Sequence, residues 1–115
     1  MKVYELDNIK YNVGENAKDN WDIIDNAKQN YVWFHLDSFS SPHVIMEKSL
    51  IHIKKDKTLK SEKVYLLYGA ELCKKYSKYK NYTNIKVMYT NIKNVKKGSK
   101  IGQVNIKGKR ITINI

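Results

Sequence analysis

Residues 31–47, YVWFHLDSFSSPHVIME, contain two segments typical of β-strands, joined by a turn rich in serine. Successive side chains of a strand point to opposite faces of a sheet. Alternation over residues 32–36 places valine, phenylalanine and leucine on one face and Trp33 and His35 on the other. The pattern resumes at residues 43–46, HVIM. We predict a hairpin with one face in the core and a second face at a ligand surface; the alternative is that both rings simply pack inside.

The segments before this stretch predict a hairpin and a helix. Residues 3–6 and 9–13 are candidate strands, and the Asp-Asn pair at residues 7–8 favours a tight turn between them. Asp19 is the predicted N-cap of a short helix that contains Trp21, because a side-chain oxygen there can accept from the first free N–H groups.

The segment after the central stretch contains the longest predicted helix, from Ser61 to about Lys75. Gly69 lies inside it, and glycine costs a helix about 1 kcal/mol relative to alanine, so we expect this face to lie close against a sheet. Cys73 shares the face and is expected to be a buried apolar residue, not a nucleophile or ligand. Residues 50–53 are predicted to be a further strand.

The C-terminal third is predicted to be β-structure. Residues 85–90 alternate, and residues 103–107 and 110–115 flank Gly-Lys at residues 108–109, an order that a type II′ hairpin prefers. The elements together predict an α+β fold. We expect one domain over residues 1–115, with a mainly antiparallel sheet packed by one long and one short helix.

Composition restricts the class of protein. The chain has 115 residues, 29% of them charged and 42% hydrophobic, which fits one globular domain. It contains no apolar run of the roughly 18 residues that a membrane helix needs, and the N-terminal residues lack the apolar segment of a signal peptide. Cys73 is the only cysteine, so no internal disulfide can form, which is typical of reducing compartments. We expect a cytoplasmic location, with the nucleus as an alternative.

The net charge of +11 is unevenly distributed along the chain. Residues 1–53 contain five lysines and eight acids, whereas residues 54–115 contain sixteen lysines and Arg110 against three acids. A basic half of this kind favours a polyanionic partner, either nucleic acid or an anionic membrane surface, unless it is only a solvated lysine-rich surface. Lysine reads base edges less well than arginine, so we expect recognition of the backbone or of shape.

The histidines are the candidate residues for metal binding or catalysis. The predicted hairpin would bring His35 and His43 together, with Asp37 on the His35 face, and two histidines with a carboxylate can bind zinc or iron. Their spacing matches no compact metal motif, so we predict neither a metal nor another cofactor. Ser41 beside His43 suggests a nucleophile and base, but adjacency in sequence does not give hydrogen-bond reach. We predict that the chain is not an enzyme; a small metal-dependent hydrolase is the least favoured hypothesis.

Residues 33–36, WFHL, and 40–45, SSPHVI, resemble the signature of the NFACT-R domain family. Further blocks resemble that family in the expected order: residues 12–14 with 19–20, 69–72 with 77–78, 87–90, 94–97 and 102–104. Ser-Ser-x-His-Val is closest to the stand-alone branch, small proteins that carry a coiled-coil tail. The sequence shows neither that tail nor the other domains of the ribosome quality-control factors in the family. Peptidyl-tail elongation is therefore not expected of this chain by itself.

The resemblance implies an RNA-binding module for transfer or ribosomal RNA, linked to translation or ribosome quality control, with the ribosome as a possible partner. DNA or an anionic membrane surface is the alternative partner. The sequence does not indicate the oligomeric state. The residues predicted to contact nucleic acid are Trp33, His35, Ser41, His43, Lys75, Lys78, Tyr79, Lys93, Lys96 and Lys97.

Overall fold

Eight strands and three α-helices form the fold of residues 1–115 in a computed structural model. In chain order they are β1 (Lys2–Leu6), β2 (Ile9–Val13), α1 (Ala17–Asp25), β3 (Val32–Leu36), β4 (Val44–Met46), α2 (Leu50–Lys55), α3 (Glu62–Lys75), β5 (Lys86–Asn91), β6 (Val95–Lys97), β7 (Val104–Ile106) and β8 (Ile111–Asn114). A 3₁₀ turn, Ile92–Asn94, joins β5 to β6. None of the helices is both long and apolar enough to cross a membrane.

Six of the strands form one antiparallel sheet in the order β1-β2-β4-β3-β5-β8, and β6 pairs with β7 in a separate two-stranded sheet. The long helix α3 packs on one face of the large sheet, against β3, β4 and β5. The predicted α+β class, with its mainly antiparallel sheet, is confirmed. A second short helix, α2, was not predicted.

Both faces of the large sheet are covered by apolar side chains. On the α3 face, Val32, Phe34 and Leu36 of β3 belong to a cluster of 16 buried residues. On the other face, Trp33 and Ile45 are buried with residues of α1, the 3₁₀ turn and β6. Alternation therefore assigned the faces of β3 correctly, but the second face lies in a core of its own.

Three local predictions were wrong. Residues 50–53 belong to α2, because the Ser49 side chain caps that helix by accepting from the N–H of His52 at 3.1 Å. Helix α1 begins earlier than predicted: Asn16 is its N-cap, and the Asn16 side chain accepts from the N–H of Asp19 at 2.8 Å.

The third wrong prediction is the C-terminal hairpin. The two segments around Gly108 do not pair with each other, since β7 pairs with β6 and β8 crosses to β5. The Thr90 hydroxyl on β5 donates to the carbonyl of Lys109 at 3.0 Å, and Gly108 adopts a φ of 79°, which lets the chain turn between the two sheets. Val104 and Ile106 do pack against a core, the one that contains Trp33.

Gly69 is the point at which α3 lies closest to the sheet. A Cβ built on Gly69 would be 2.5–2.9 Å from three ring carbons of Phe34, a side chain with no exposed surface. Cys73, one turn further along, is also fully buried, as predicted, and burial raises the pKa of its thiol. The glycine thus permits a close contact between the helix and the sheet.

We expect Gly69→Ala to lower the free energy of unfolding by about 1–3 kcal/mol, because an added methyl group overpacks a filled core. At an unconstrained helix position the same change should stabilise by about 1 kcal/mol. Urea unfolding of the single variant and of Gly69→Ala/Phe34→Leu tests the cause, since the smaller partner should recover part of the loss. A stabilised Gly69→Ala variant would contradict the contact with Phe34.

Candidate nucleic-acid interface

A cleft of about 610 Å³ opens where distant segments of the chain meet. Its walls are the start of β1, the segment from the end of β2 into α1, the turn between β3 and β4, the chain after the end of α3, and the loop between β6 and β7. His35, His43, Ser41 and Lys78 all belong to its lining. Four residues predicted to contact nucleic acid therefore meet in one cavity.

The two histidine rings meet edge to face, as the predicted hairpin implied, with centroids 5.0 Å apart and an interplanar angle of 89°. His43 is only 3% exposed, and its Nδ1 lies 3.1 Å from Nε1 of Trp33. Nδ1 of His35 lies 2.7 Å from the carbonyl oxygen of Leu36. No third His, Cys, Asp or Glu joins the pair in a cluster with metal-binding geometry.

Burial controls the charge of both rings. It lowers the pKa of His35 below the ordinary value, and the bond to the Leu36 carbonyl opposes this only in part. Burial also lowers the pKa of His43 to about 3, with a smaller contribution from repulsion by protonated His35. Both rings are therefore neutral at physiological pH.

Gly14 and Asn20 hold His43 in place at the bottom of the cleft. The N–H of Gly14 donates to the carbonyl of His43 at 3.0 Å, and the N–H of His43 donates to Asn20 Oδ1 at 3.2 Å. A Cβ on Gly14 would come within 2.0 Å of that same Oδ1, so a larger residue would displace Asn20. Gly14 and Asn20, which lie in the blocks that resemble the family near the N-terminus, thus fix the backbone of His43.

Ser41 shapes the turn between β3 and β4. Its hydroxyl accepts from the N–H of Leu36 at 3.0 Å and donates to the carbonyl of Pro42 at 3.0 Å. The thiol of Cys73 also points to the Pro42 carbonyl, at 3.5 Å. The hydroxyl hydrogen is therefore used within the protein, and Ser41 positions the turn that carries His43.

Cations and aromatic rings form one rim of the cleft. Lys2 and Lys75 both lie over the ring of Tyr76, with Nζ 5.5 and 5.4 Å from its centroid. Lys78 is exposed in the cleft lining, beside Tyr79, whose ring packs on Phe39 at 4.6 Å between centroids. Glu15 is the one acidic side chain in the lining.

The other three predicted lysines lie on the 3₁₀ turn and β6. Lys93 and Lys96 are exposed. Lys97 Nζ lies 2.9 Å from Asp25 Oδ1 and 5.2 Å from the centroid of Trp21. None of the three lines the cleft, and neither does Lys75, so Lys78 is the one predicted lysine in the lining.

Trp33 is the predicted contact residue that the structure contradicts. It has no exposed surface, because α1, the 3₁₀ turn and β6 cover its face of the sheet, so no base can stack on its indole. Its stacked neighbour His35, with ring centroids 5.7 Å apart, does reach the cleft. Trp33 supports the cleft from below through its bond to His43.

Several cleft residues escaped sequence reasoning about the interface. Lys2 directly precedes the predicted strand at residues 3–6, and Tyr76 directly follows the predicted long helix. Ile101 and Gly102 come from the loop between β6 and β7, where a Cβ on Gly102 would come within 2.8 Å of the Ala17 methyl group. Among these residues only Gly102 belongs to a block that resembles the family, residues 102–104.

The fold and the cleft define a small basic α+β module with one candidate binding site. The chain belongs to the NFACT protein RNA-binding domain family, whose pattern matches residues 3–109. This confirms the resemblance read from the sequence. The chain is an RNA-binding domain by family.

Comparison with solved structures supports the fold. The C-terminal part of the fibronectin/fibrinogen-binding protein from Streptococcus suis superposes with a TM-score of 0.77 at 25% sequence identity. The match covers 98% of this chain and 43% of that chain. No curated protein matches the chain significantly in sequence.

Proposed function

We propose that the protein binds transfer or ribosomal RNA through the cleft and acts in translation or ribosome quality control in the cytoplasm. The observation that carries this proposal is the meeting of His35, His43 and Lys78 in one cleft of a domain whose family binds RNA. Binding by backbone and shape fits a surface with many lysines and one arginine.

The rim supplies the electrostatic part of binding. Lysines that neutralise phosphates release condensed counterions, and aromatic rings beside them can stack on unpaired bases. Lys78 lines the cleft, Lys75 lies over the ring of the cleft residue Tyr76, and Tyr79 follows Lys78 in the chain. Lys93, Lys96 and Lys97 would extend contacts to the backbone beyond it, with Lys97 exchanging Asp25 for a phosphate.

We also propose that the protein is a binding module and not an enzyme. The hydroxyl of Ser41 donates to the Pro42 carbonyl, so no bond from Ser41 to a histidine activates it as a nucleophile. The only thiol, on Cys73, is fully buried. Neither Ser41 nor Cys73 is therefore placed as a nucleophile, which supports binding rather than catalysis at the cleft.

Neutralising Lys78 in the cleft lining and Lys75, whose Nζ lies over Tyr76 beside it, should weaken RNA binding and its dependence on salt. For Lys75→Gln/Lys78→Gln on single-stranded RNA, we expect the slope of log affinity against log salt to flatten by about 1.4, because each lost phosphate contact contributes about 0.7. Lys54→Gln/Lys57→Gln removes the same charge from exposed positions outside the cleft and outside the proposed contacts, and should leave the slope nearly unchanged. An unchanged slope in the cleft variant would contradict the placement of RNA there.

Crosslinking and sequencing of the bound nucleic acid is the direct test of the proposed function. Sedimentation with ribosomes in a low-salt gradient tests the link to translation. Recovery of transfer or ribosomal RNA supports the proposal. Recovery of DNA alone, or binding only to anionic vesicles, would replace it with one of the alternative partners.

A further inference from the structure

The two histidines of the cleft are held in opposite tautomers. The indole N–H of Trp33 can only donate, so His43 Nδ1 accepts it and carries no proton. The carbonyl of Leu36 can only accept, so His35 Nδ1 carries a proton and donates it. A neutral imidazole has one N–H, which leaves a proton on Nε2 of His43 and a lone pair on Nε2 of His35.

Both Nε2 atoms are open to the cleft. No buried polar side-chain atom of the protein lacks a hydrogen-bond partner. The Nε2 of His43 has no partner within the protein, so it must lie at the cleft surface even though the residue is only 3% exposed. Nε2 of His35 is unpartnered in the same way. The cleft floor therefore presents one uncharged donor and one uncharged acceptor on adjoining rings.

This pair selects against phosphate as its ligand. The free oxygens of a backbone phosphodiester only accept, and the lone pair of His35 would repel them. The Watson–Crick edge of an unpaired base carries a donor beside an acceptor, and a ribose 2′-hydroxyl both donates and accepts. Lys78, in the same lining, supplies the positive charge that a neighbouring phosphate requires.

We propose that the cleft holds one unpaired nucleotide, with an uncharged donor–acceptor group on the two histidine Nε2 atoms and a phosphate at Lys78. The inference rests on the proposed RNA-binding function. It adds that the histidines recognise an uncharged group of the nucleotide and not its phosphate. A volume of about 610 Å³ lies within the range of about 300–1,000 Å³ that is typical of small-molecule sites.

Asparagine variants remove the Nε2 atoms that face the cleft and keep the hydrogen bonds that the Nδ1 atoms make within the protein. In His43→Asn the amide oxygen takes the place of Nδ1 and accepts from Trp33. In His35→Asn the amide N–H takes the place of Nδ1–H and donates to Leu36. Neither side chain reaches the position of Nε2, so each variant loses one ligand bond and keeps its support.

We expect each variant to bind a short single-stranded RNA about tenfold more weakly than the parent, as loss of one hydrogen bond implies. The salt slope should be unchanged, because no phosphate contact is removed. Two further probes identify the group: an abasic RNA of the same length and a DNA of the same sequence. If the histidines bind the base, the abasic RNA should bind the parent and the variants equally well. If they bind the 2′-hydroxyl, the DNA should do so.

Long-range ¹H–¹⁵N spectra of the parent give a second readout that does not depend on the variants. The Nε2 signals of His35 and His43 should show opposite tautomers, and both should shift with the RNA but not with dimethyl phosphate, a diester that has no P–OH donor. Unshifted signals, or RNA binding equal in the parent and two folded Asn variants, would overturn this inference and leave the proposed function standing. A parent that binds no RNA would overturn both.

Discussion

Replacing Trp33 with alanine is expected to lower the free energy of unfolding by about 3–5 kcal/mol, the usual cost of removing a large buried aromatic side chain. Trp33 has no exposed surface and packs with Ile23, Ile24 and Ile92 in the second core. Its truncation leaves a cavity there and removes the donor to His43 Nδ1. The effect should appear in urea unfolding of the free protein.

Two variants separate the effect of the lost apolar volume from that of the lost indole N–H. Trp33→Phe keeps most of the apolar volume but loses the indole N–H, and we expect it to cost about 1–3 kcal/mol from the unpaired acceptor and the smaller ring. Trp21→Ala serves as the comparison, since Trp21 is half-buried at the edge of the same core. A Trp33→Ala variant as stable as Trp21→Ala would show that the second core is wrongly described.

The two faces of β3 show how far the sequence predicts this fold. The period of two separated Phe34 and its neighbours from Trp33 and His35 correctly, since it depends only on strand geometry. Whether the second face is covered depends on α1 and β6, which lie before and far after β3 in the chain. Alternation within β3 contains no information about those contacts.

The candidate site was also predicted only where residues close in the chain form it. His35 and His43 were predicted to meet because one short hairpin positions both. Lys2, Asn20 and Gly102 come from segments separated by up to a hundred residues, and only the tertiary fold brings them to the cleft. The C-terminal prediction failed for a related reason: the turn chemistry at Gly108 suits a tight turn, but long-range pairing with β5 and β6 decided the strand partners.

Acid should destabilise the protein through His43 more than through an ordinary histidine. Its folded pKa is about 3, whereas an unfolded histidine titrates near about 6.5. Between those pH values the unfolded state binds the extra proton, so the contribution to stability is complete above about pH 6.5 and falls as the pH decreases. The expected loss is about 1.4 kcal/mol for each pH unit within this window.

His43→Asn isolates this contribution, because asparagine keeps an acceptor for Trp33 and does not titrate. Carboxylates of the chain also lose stabilising charge in acid, but they do so in both proteins. We therefore expect the parent to lose stability more steeply than the variant between about pH 6.5 and 4, when both are unfolded by urea at fixed ionic strength. Parallel pH profiles would mean that His43 takes up a proton in the folded state, which its acceptor bond from Trp33 does not permit.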